Sequence, residues 1–230
     1  MSIRQDKTIV AVDGPSASGK STVSREAARI LGFLYVDSGA MYRGVTWKAI
    51  NEAVDTDKPE SVIDMISSTN WHWYSDDDDK VMKFTIDGDD PSNRLRSEPV
   101  RERVSDIAAI PEVREFIVKL LRETAGYGSL VMEGRDIGSL VFPNADFKFY
   151  LDADPDERAR RRYRELLATE GRGNEKDVMD SLTRRDKKDS SRSVSPLQIP
   201  LGARVINTTG MSIDDVVRTI VGVVQAGEPA

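Results

Sequence analysis

Eight consecutive residues, Gly14-Pro15-Ser16-Ala17-Ser18-Gly19-Lys20-Ser21, carry the strongest chemical signal in this chain of 230 residues. They fit the pattern G-x-x-x-x-G-K-[ST] in full. Gly14 and Gly19 let the backbone curl so that its N–H groups converge on phosphate oxygens, and a helix beginning near Lys20 adds the positive end of its dipole. Lys20 can reach between the β- and γ-phosphates of a nucleoside triphosphate, and the Ser21 hydroxyl can ligate Mg²⁺. The predicted triphosphate-binding set is Gly14, Pro15, Ser16, Ala17, Ser18, Gly19, Lys20, Ser21 and Thr22. Such a P-loop implies a nucleoside triphosphate but not its fate, since motors, GTPases and kinases all use it.

Other residues narrow the class. A guanine-reading N-K-x-D is absent from the sequence. The apolar Leu130-Val131-Met132 runs into a single acid, Glu133, and then Gly134-Arg135, where motor ATPases usually carry an acidic pair. An arginine there suits a second phosphate better than a metal. A basic segment at 156–168 puts Ala159, Tyr163, Leu166 and Leu167 on one side of a helix, Arg158 and Arg161 nearly opposite, and Arg162 on the flank. That is the pattern of a cationic lid, spanning 156–174, whose guanidiniums stabilise the charge on a transferring phosphoryl group. A basic surface helix or an RNA contact is the alternative. Arg185, Asp189 and Arg192 stand at i, i+4 and i+7, one helical face, where one carboxylate between two guanidiniums can accept a hydroxyl proton while the arginines hold phosphate. A plain ion pair on a helix surface is the other reading.

These groups need a scaffold, and the chain alternates the patterns of strand and helix. Apolar runs at 8–13, 33–36, 130–132, 147–151 and 204–207 read as buried strands, separated by segments of helical periodicity that include a closing amphipathic helix from Ile213 to about Val224. The expected fold is α/β: a P-loop NTPase fold with a parallel sheet flanked by helices. Residues 66–100 differ. Two strands, 70–74 and 81–86, joined by the acidic turn at 76–79, read as a small β-rich insertion in a single domain whose core is 1–65 and 101–230. Trp71, Trp73 and Tyr74 fit alternation within that small sheet better than a base-stacking platform, and His72 between the tryptophans reads as a surface residue.

Composition removes several classes. There is no cysteine and only one histidine, so disulfide frameworks, thiolate metal sites and two-histidine metal sites are excluded. A net charge of −6 argues against a nucleic-acid coat, and 39% apolar residues suffice for a sizeable core. Neither a signal peptide nor an apolar run of membrane-spanning length is visible, so a cytoplasmic monomer is expected, with no membrane or nucleic-acid partner.

Several motifs together resemble the bacterial cytidylate kinase family, over nearly the whole chain. They are Asp13-Gly14-Pro15-Ser16 with the loop behind it, Asp37-Ser38-Gly39-Ala40-Met41-Tyr42-Arg43, and Pro111-Glu112-Val113-Arg114. Further carriers are Glu133-Gly134-Arg135-Asp136-Ile137-Gly138, Val141-Phe142-Pro143 and Arg192-Ser193-Val194-Ser195-Pro196-Leu197. The resemblance implies an adenylate-kinase-like fold, a lid, an enlarged monophosphate-binding insertion, and phosphoryl transfer from Mg·ATP to CMP or dCMP. By the same resemblance Arg43 and Arg135 face the acceptor phosphate. Ser105, Arg114 and Asp136, with Ser38 and Tyr42 nearby, read the base. Arg185, Asp189 and Arg192 hold ribose and phosphate. Lys20, Arg135, Arg158, Arg161 and Arg162 are then the catalytic set.

Physical chemistry supports the base assignment. Cytosine offers an N4 donor beside the N3 and O2 acceptors, so a carboxylate (Asp136) and a guanidinium (Arg114) complement it, whereas uracil reverses the pattern. Two departures stand out: family members often carry Asp where Glu133 stands, so Glu133 receives no direct role, and Lys187-Lys188-Asp189 is less arginine-rich than the corresponding runs. A same-fold kinase for UMP, AMP or a small alcohol, and a nucleotide- or RNA-binding regulator, remain the alternatives.

Overall fold

The computed structural model describes residues 7–75, 78–171, 173–192 and 195–228. Asp76 and Asp77 of the acidic run, and Ser193 and Val194 of the motif beginning at Arg192, lie outside the described residues.

Five short apolar segments form one parallel sheet. Numbered in chain order they are β1 (Ile9–Asp13), β2 (Leu34–Asp37), β5 (Leu130–Gly134), β6 (Phe147–Asp152) and β7 (Arg204–Asn207), in the order β2-β5-β1-β6-β7. Each predicted core strand is present, with boundaries moved by a residue or two. The strands read as continuous apolar runs because both faces are covered. Alternate side chains divide between two cores. Ala11, Val36, Leu130 and Met132 join one with α2 (Ser38–Asn51), α3 (Pro59–Ser68), α4 (Glu98–Ile107) and α5 (Pro111–Glu123). Val10, Val12, Val131, Phe149 and Leu151 join the other with α1 (Lys20–Leu31) and α8 (Ile213–Ala226).

Strand register decides where chemistry can occur. Asp13 pairs with Gly134 and Tyr150, Asp37 with Glu133, and Asp152 with Asn207. The carboxyl ends of all five strands therefore share one edge, where crevices in open α/β sheets receive ligands.

The predicted insertion is an antiparallel pair, β3 (Trp71–Ser75) and β4 (Met82–Ile86). Trp73 and Phe84 are buried with ring centroids 5.5 Å apart, Trp71 packs edge-on to Phe116, and His72 is exposed. The aromatics are thus core residues of a small sheet, which joins the main one through a bridge between Val81 and Tyr35. Residues 66–100 also hold the end of α3 and the beginning of α4, neither of them β. Helix α3 was not legible in the sequence, although Pro59 opens it and Val62, Met65 and Ile66 bury one face.

Two charged helices, α6 (Pro155–Glu170) and α7 (Glu175–Ser190), pack together through Ala159, Val178 and Leu182, with Ala17, Tyr163 and Leu166 against them. Leu167, expected on that apolar side, is exposed instead. Among the described residues, no helix is long and apolar enough to cross a membrane.

Candidate active site

At the carboxyl edge of the sheet a cleft of about 960 Å³ runs from the glycine loop to α4 and α5. The loop starts where β1 ends. Gly14 has φ +147°, and a Cβ there would lie 2.0 Å from the Leu151 carbonyl oxygen, so only glycine lets the loop leave β1 against β6. Ser16, Ala17, Gly19, Lys20, Ser21 and Thr22 line the cleft, whereas Gly14, Pro15 and Ser18 form the loop's inner wall. Lys20 is buried; its Nζ donates to the Pro15 carbonyl at 2.6 Å and to Ser18 Oγ at 3.4 Å. Burial pushes the Lys20 ammonium down to about 7, Arg135 adds to this, and Glu133 opposes it. A ligand carrying several negative charges would restore the charged form.

Glu133, given no role by the sequence, stands beside the loop. Ser21 Oγ donates to Glu133 Oε1 at 2.6 Å, and the Tyr35 hydroxyl donates to the same oxygen at 3.3 Å. The Arg25 guanidinium lies over the Tyr35 ring at 4.7 Å. Burial, then the Glu133 and Asp37 charges, push the Tyr35 phenol far up, so it stays protonated and can donate to Glu133. The longer carboxylate therefore does not swing away: it reaches the hydroxyl predicted to ligate a metal. Ser21 and Glu133 are hard oxygen donors suited to Mg²⁺. Among the described residues no three His, Cys, Asp or Glu side chains are grouped to hold a metal. A cation here would take most of its shell from water and phosphate oxygens, which is how Mg²⁺ usually binds.

The opposite wall is cationic. Asp37, the residue before α2, accepts from the Ala40 amide at 3.1 Å and from Arg43 Nη2 at 2.6 Å, which turns Arg43 toward the cleft. Burial works against the Asp37 carboxylate, but Arg43 and Arg96 more than offset it and its carboxyl lies below the ordinary range. Ser38 Oγ donates to the Glu133 carbonyl at 2.7 Å, tying α2 to β5. Arg114 and Asp136 form a buried ion pair; Arg114 also donates to the Ala108 carbonyl at 3.2 Å and sits 5.4 Å from the Tyr42 ring centroid. Ser105, Tyr42 and Ala108 complete this end of the cleft.

Between the two ends stands Asp189, buried, which accepts from Arg135 Nε at 3.0 Å and from Arg192 Nη2. The sequence pattern paired Asp189 with Arg185 and Arg192 along one helix. The structure corrects this, because α7 ends at Ser190 and Arg192 lies past its last turn. The second guanidinium on Asp189 comes from Arg135, after β5. Arg185 also lines the cleft, and burial, then Arg135, lower its guanidinium to about 10. The Nε–H groups of Arg43, Arg114, Arg185 and Arg192 are buried without an internal acceptor. Orphaned charged donors of this kind are costly to bury, and all four arginines that carry them line the cleft, where an anion would offset their charge.

The lid arginines separate. Of Arg158, Arg161 and Arg162, only Arg162 lines the cleft, paired with Glu165 at 2.8 Å. Arg158 is buried beneath the loop, donating to the Ser16 and Ala153 carbonyls, both at 3.2 Å, and to Asp186 at 2.5 Å. Arg161 donates to Thr208 Oγ1 at 3.0 Å and to the Thr208 carbonyl at 2.7 Å. In this structure both brace the glycine loop from behind, because Thr208 Oγ1 donates in turn to the Ser18 carbonyl at 3.1 Å. No residue of the β3–β4 pair lines the cleft; among the described residues of 66–100 only Arg96 does so. The sequence missed Arg96, Arg101, Tyr35, Asp37 and Glu133 as lining residues. Asp37 and Glu133 were signalled, each as the first residue of a quoted motif.

The comparisons with known proteins agree with this geometry. A family model described as cytidylate kinase matches residues 10–226. A cytidylate kinase from Caldanaerobacter subterraneus is 41% identical over 211 residues, 92% of this chain and 92% of the relative. Another from Pelotomaculum thermopropionicum is 41% identical over 218 residues, 95% of this chain and 96% of that one. Among solved structures, an uncharacterized protein from Eubacterium ventriosum superposes with a TM-score of 0.54 at 12% identity, covering 96% of this chain and 99% of its own, a likeness of fold alone. A match across almost the full length, at 41% identity to relatives of the same size, has one reading: the chain is an enzyme of the cytidylate kinase family.

Proposed function

We propose that the chain transfers the terminal phosphoryl group of Mg·ATP to CMP or dCMP, giving CDP or dCDP and ADP. The observation that carries this reading is that Arg43, Arg114, Arg135, Arg185 and Arg192 line one cleft with the glycine loop and Lys20. Two anion sockets share that cleft, as transfer between two phosphates requires.

The glycine loop and Lys20 hold the β- and γ-phosphates of the donor. Arg43, Arg135, Arg185 and Arg192 hold the acceptor phosphate, and Asp189 fixes two of these guanidiniums while keeping lone pairs for a sugar hydroxyl. Arg114 donates to N3 or O2 of cytosine and Asp136 accepts from N4. Ser21 and Glu133 would hold Mg²⁺, which neutralises charge on the bridging and terminal phosphate oxygens when bound.

In the reaction an acceptor phosphate oxygen attacks the γ-phosphorus in line, the bond from γ-phosphorus to the bridging oxygen breaks, and ADP leaves. No general base is needed, because the second pKa of a phosphate monoester is about 6. Arg162, at the cleft, and Arg135 meet the charge that spreads over the transferring oxygens. Arg158 and Arg161, as this structure has them, act by keeping the loop in shape.

A panel of CMP, dCMP, UMP and AMP with Mg·ATP, followed by ADP release, tests the reading. CMP and dCMP are expected to turn over fastest. Equal turnover of UMP would remove the base assignment, and ATP binding without transfer to any monophosphate would remove the kinase reading.

A further inference from the structure

The turn that follows Asp136 is held at both ends by opposite charges outside the cleft. Residues Ile137–Val141 make a single π-helical turn: the Val141 amide donates to the Asp136 carbonyl at 3.1 Å and the Phe142 amide to the Ile137 carbonyl at 2.7 Å. The Leu140 amide shares the Asp136 carbonyl at 2.9 Å, so the backbone of Asp136 is part of this turn. A lone turn is costly to form, since it fixes several residues for few hydrogen bonds and leaves end groups unpaired.

Two side chains offset that cost. At the amino end, the Asp13 carboxylate accepts from the Ile137 and Gly138 amides, both at 2.7 Å. At the carboxyl end, Arg122 donates Nε to the Val141 carbonyl at 2.9 Å and Nη2 to the Leu140 carbonyl at 2.8 Å. Negative charge at the amino end and positive at the carboxyl end is the favourable sense for a helical turn. The fit at Asp13 is close: a Cβ on Gly138 would lie 3.3 Å from Asp13 Oδ2 and 3.2 Å from Pro200. Asp13 is wholly buried, and neither it nor Arg122 lines the cleft.

We propose that Asp13 and Arg122 are positioning residues for base selection, clamping the turn behind Asp136 so that its carboxylate stays against Arg114. The clamp sets the preference for CMP over UMP, and its Arg122 jaw does so without touching the donor site. This rests on the assignment of Arg114 and Asp136 as base readers. Asp13 is also the last residue of β1, so the strand that presents the glycine loop supplies one jaw of the clamp.

The experiment compares wild type with Arg122→Gln, Arg122→Lys and Asp13→Asn at pH 8, above the value of about 7 to which burial raises the Asp13 carboxyl. Asparagine keeps the shape but turns an N–H toward one amide. Backbone hydrogen exchange over 137–142 and KM for CMP, UMP and ATP are measured in each. Loss of charge-assisted bonds predicts faster exchange over that turn and a rise in KM for CMP of about tenfold in Arg122→Gln and about 100-fold in Asp13→Asn. KM for ATP should stay within about twofold in Arg122→Gln, whose lost bonds lie at the far end of the turn from the glycine loop, whereas Asp13→Asn also removes a charge that faces Lys20 and is expected to raise it. Lysine should restore part of the selectivity. An unchanged CMP-to-UMP ratio in folded Arg122→Gln overturns the proposal, as does an equal loss for ATP and both acceptors. If Asp13→Asn does not fold, Arg122→Gln alone decides. A wild-type chain that ignores CMP defeats the acceptor reading instead, and unchanged exchange in the variants would then still overturn the clamp.

Discussion

Removing the Arg114–Asp136 pair one partner at a time, and then together, separates its structural cost from its function. The side chains are 2% and 5% exposed, and the Arg114 Nε–H has no internal acceptor. Arg114→Met leaves a carboxylate buried without its cation; Asp136→Asn leaves a guanidinium buried without its anion. Breaking one side of a buried pair costs about 3–5 kcal/mol. The double substitution removes both charges, and replacing such pairs is often neutral or stabilising. The double variant is therefore expected to be more stable than either single variant in denaturant unfolding, a coupling of at least 2–3 kcal/mol by the rough magnitudes for contacting residues. Activity should not recover with stability. Cytosine loses two complementary contacts, each worth about 1–3 kcal/mol when a polar group is left unpaired. At 1.36 kcal/mol per factor of ten, kcat/KM for CMP should fall by roughly 30-fold to above 10⁴-fold, with UMP falling far less. Two results would refute the reasoning: stability losses that simply add, which would mean the pair is not a coupled buried unit, or a stable double variant that still prefers CMP.

Asp189→Ala should penalise CMP more than dCMP in kcat/KM, and also raise KM for both, because Arg135 and Arg192 lose the carboxylate between them; an unchanged ratio of the two acceptors would reject the sugar contact. Glu133→Gln should raise the Mg²⁺ concentration needed for half-maximal rate by roughly tenfold, since it trades a charged oxygen donor beside Ser21 for a neutral one; a magnesium titration that superposes on wild type would remove Glu133 from the metal site. The pH dependence of stability should depend on Asp13, whose carboxyl is pushed up to about 7 by burial and Asp136, against the pull of the Ile137 and Gly138 amides and Lys20. An acid with a raised folded pKa binds protons more tightly when folded, so its stabilising contribution is full below the unfolded value of 3.8 and declines as pH rises through about 7. The stability difference between wild type and Asp13→Asn should therefore shrink between pH 4 and pH 7, by at most about 1.36 kcal/mol per pH unit; a flat difference would show the carboxyl to be unperturbed.

The sequence by itself determined the sheet, the glycine loop and most of the residues that meet in the cleft. Buried strands are continuous apolar runs and amphipathic helices repeat at 3.6, so 8–13, 130–132 and 147–151 were legible without any contact information. The loop was legible because its geometry is local, held in eight adjacent residues. Three matters belonged to tertiary structure. Helical spacing set Arg185, Asp189 and Arg192 on one face, but α7 ends at Ser190, and the carboxylate is shared with Arg135 from the loop after β5. Spacing set Arg158, Arg161 and Arg162 out as one lid surface, yet the packing of α6 on the loop and on Thr208 buries Arg158, braces Arg161 and leaves Arg162 to the cleft. Glu133 meets Ser21 across 112 residues, and Asp13 meets Ile137 and Gly138 across 124 and 125. The physical reason is the same each time. Periodicity reports which way a side chain leaves its own element, whereas a hydrogen bond between distant segments depends on strand register and on how helices seat against the sheet. Those are fixed only when the whole core packs.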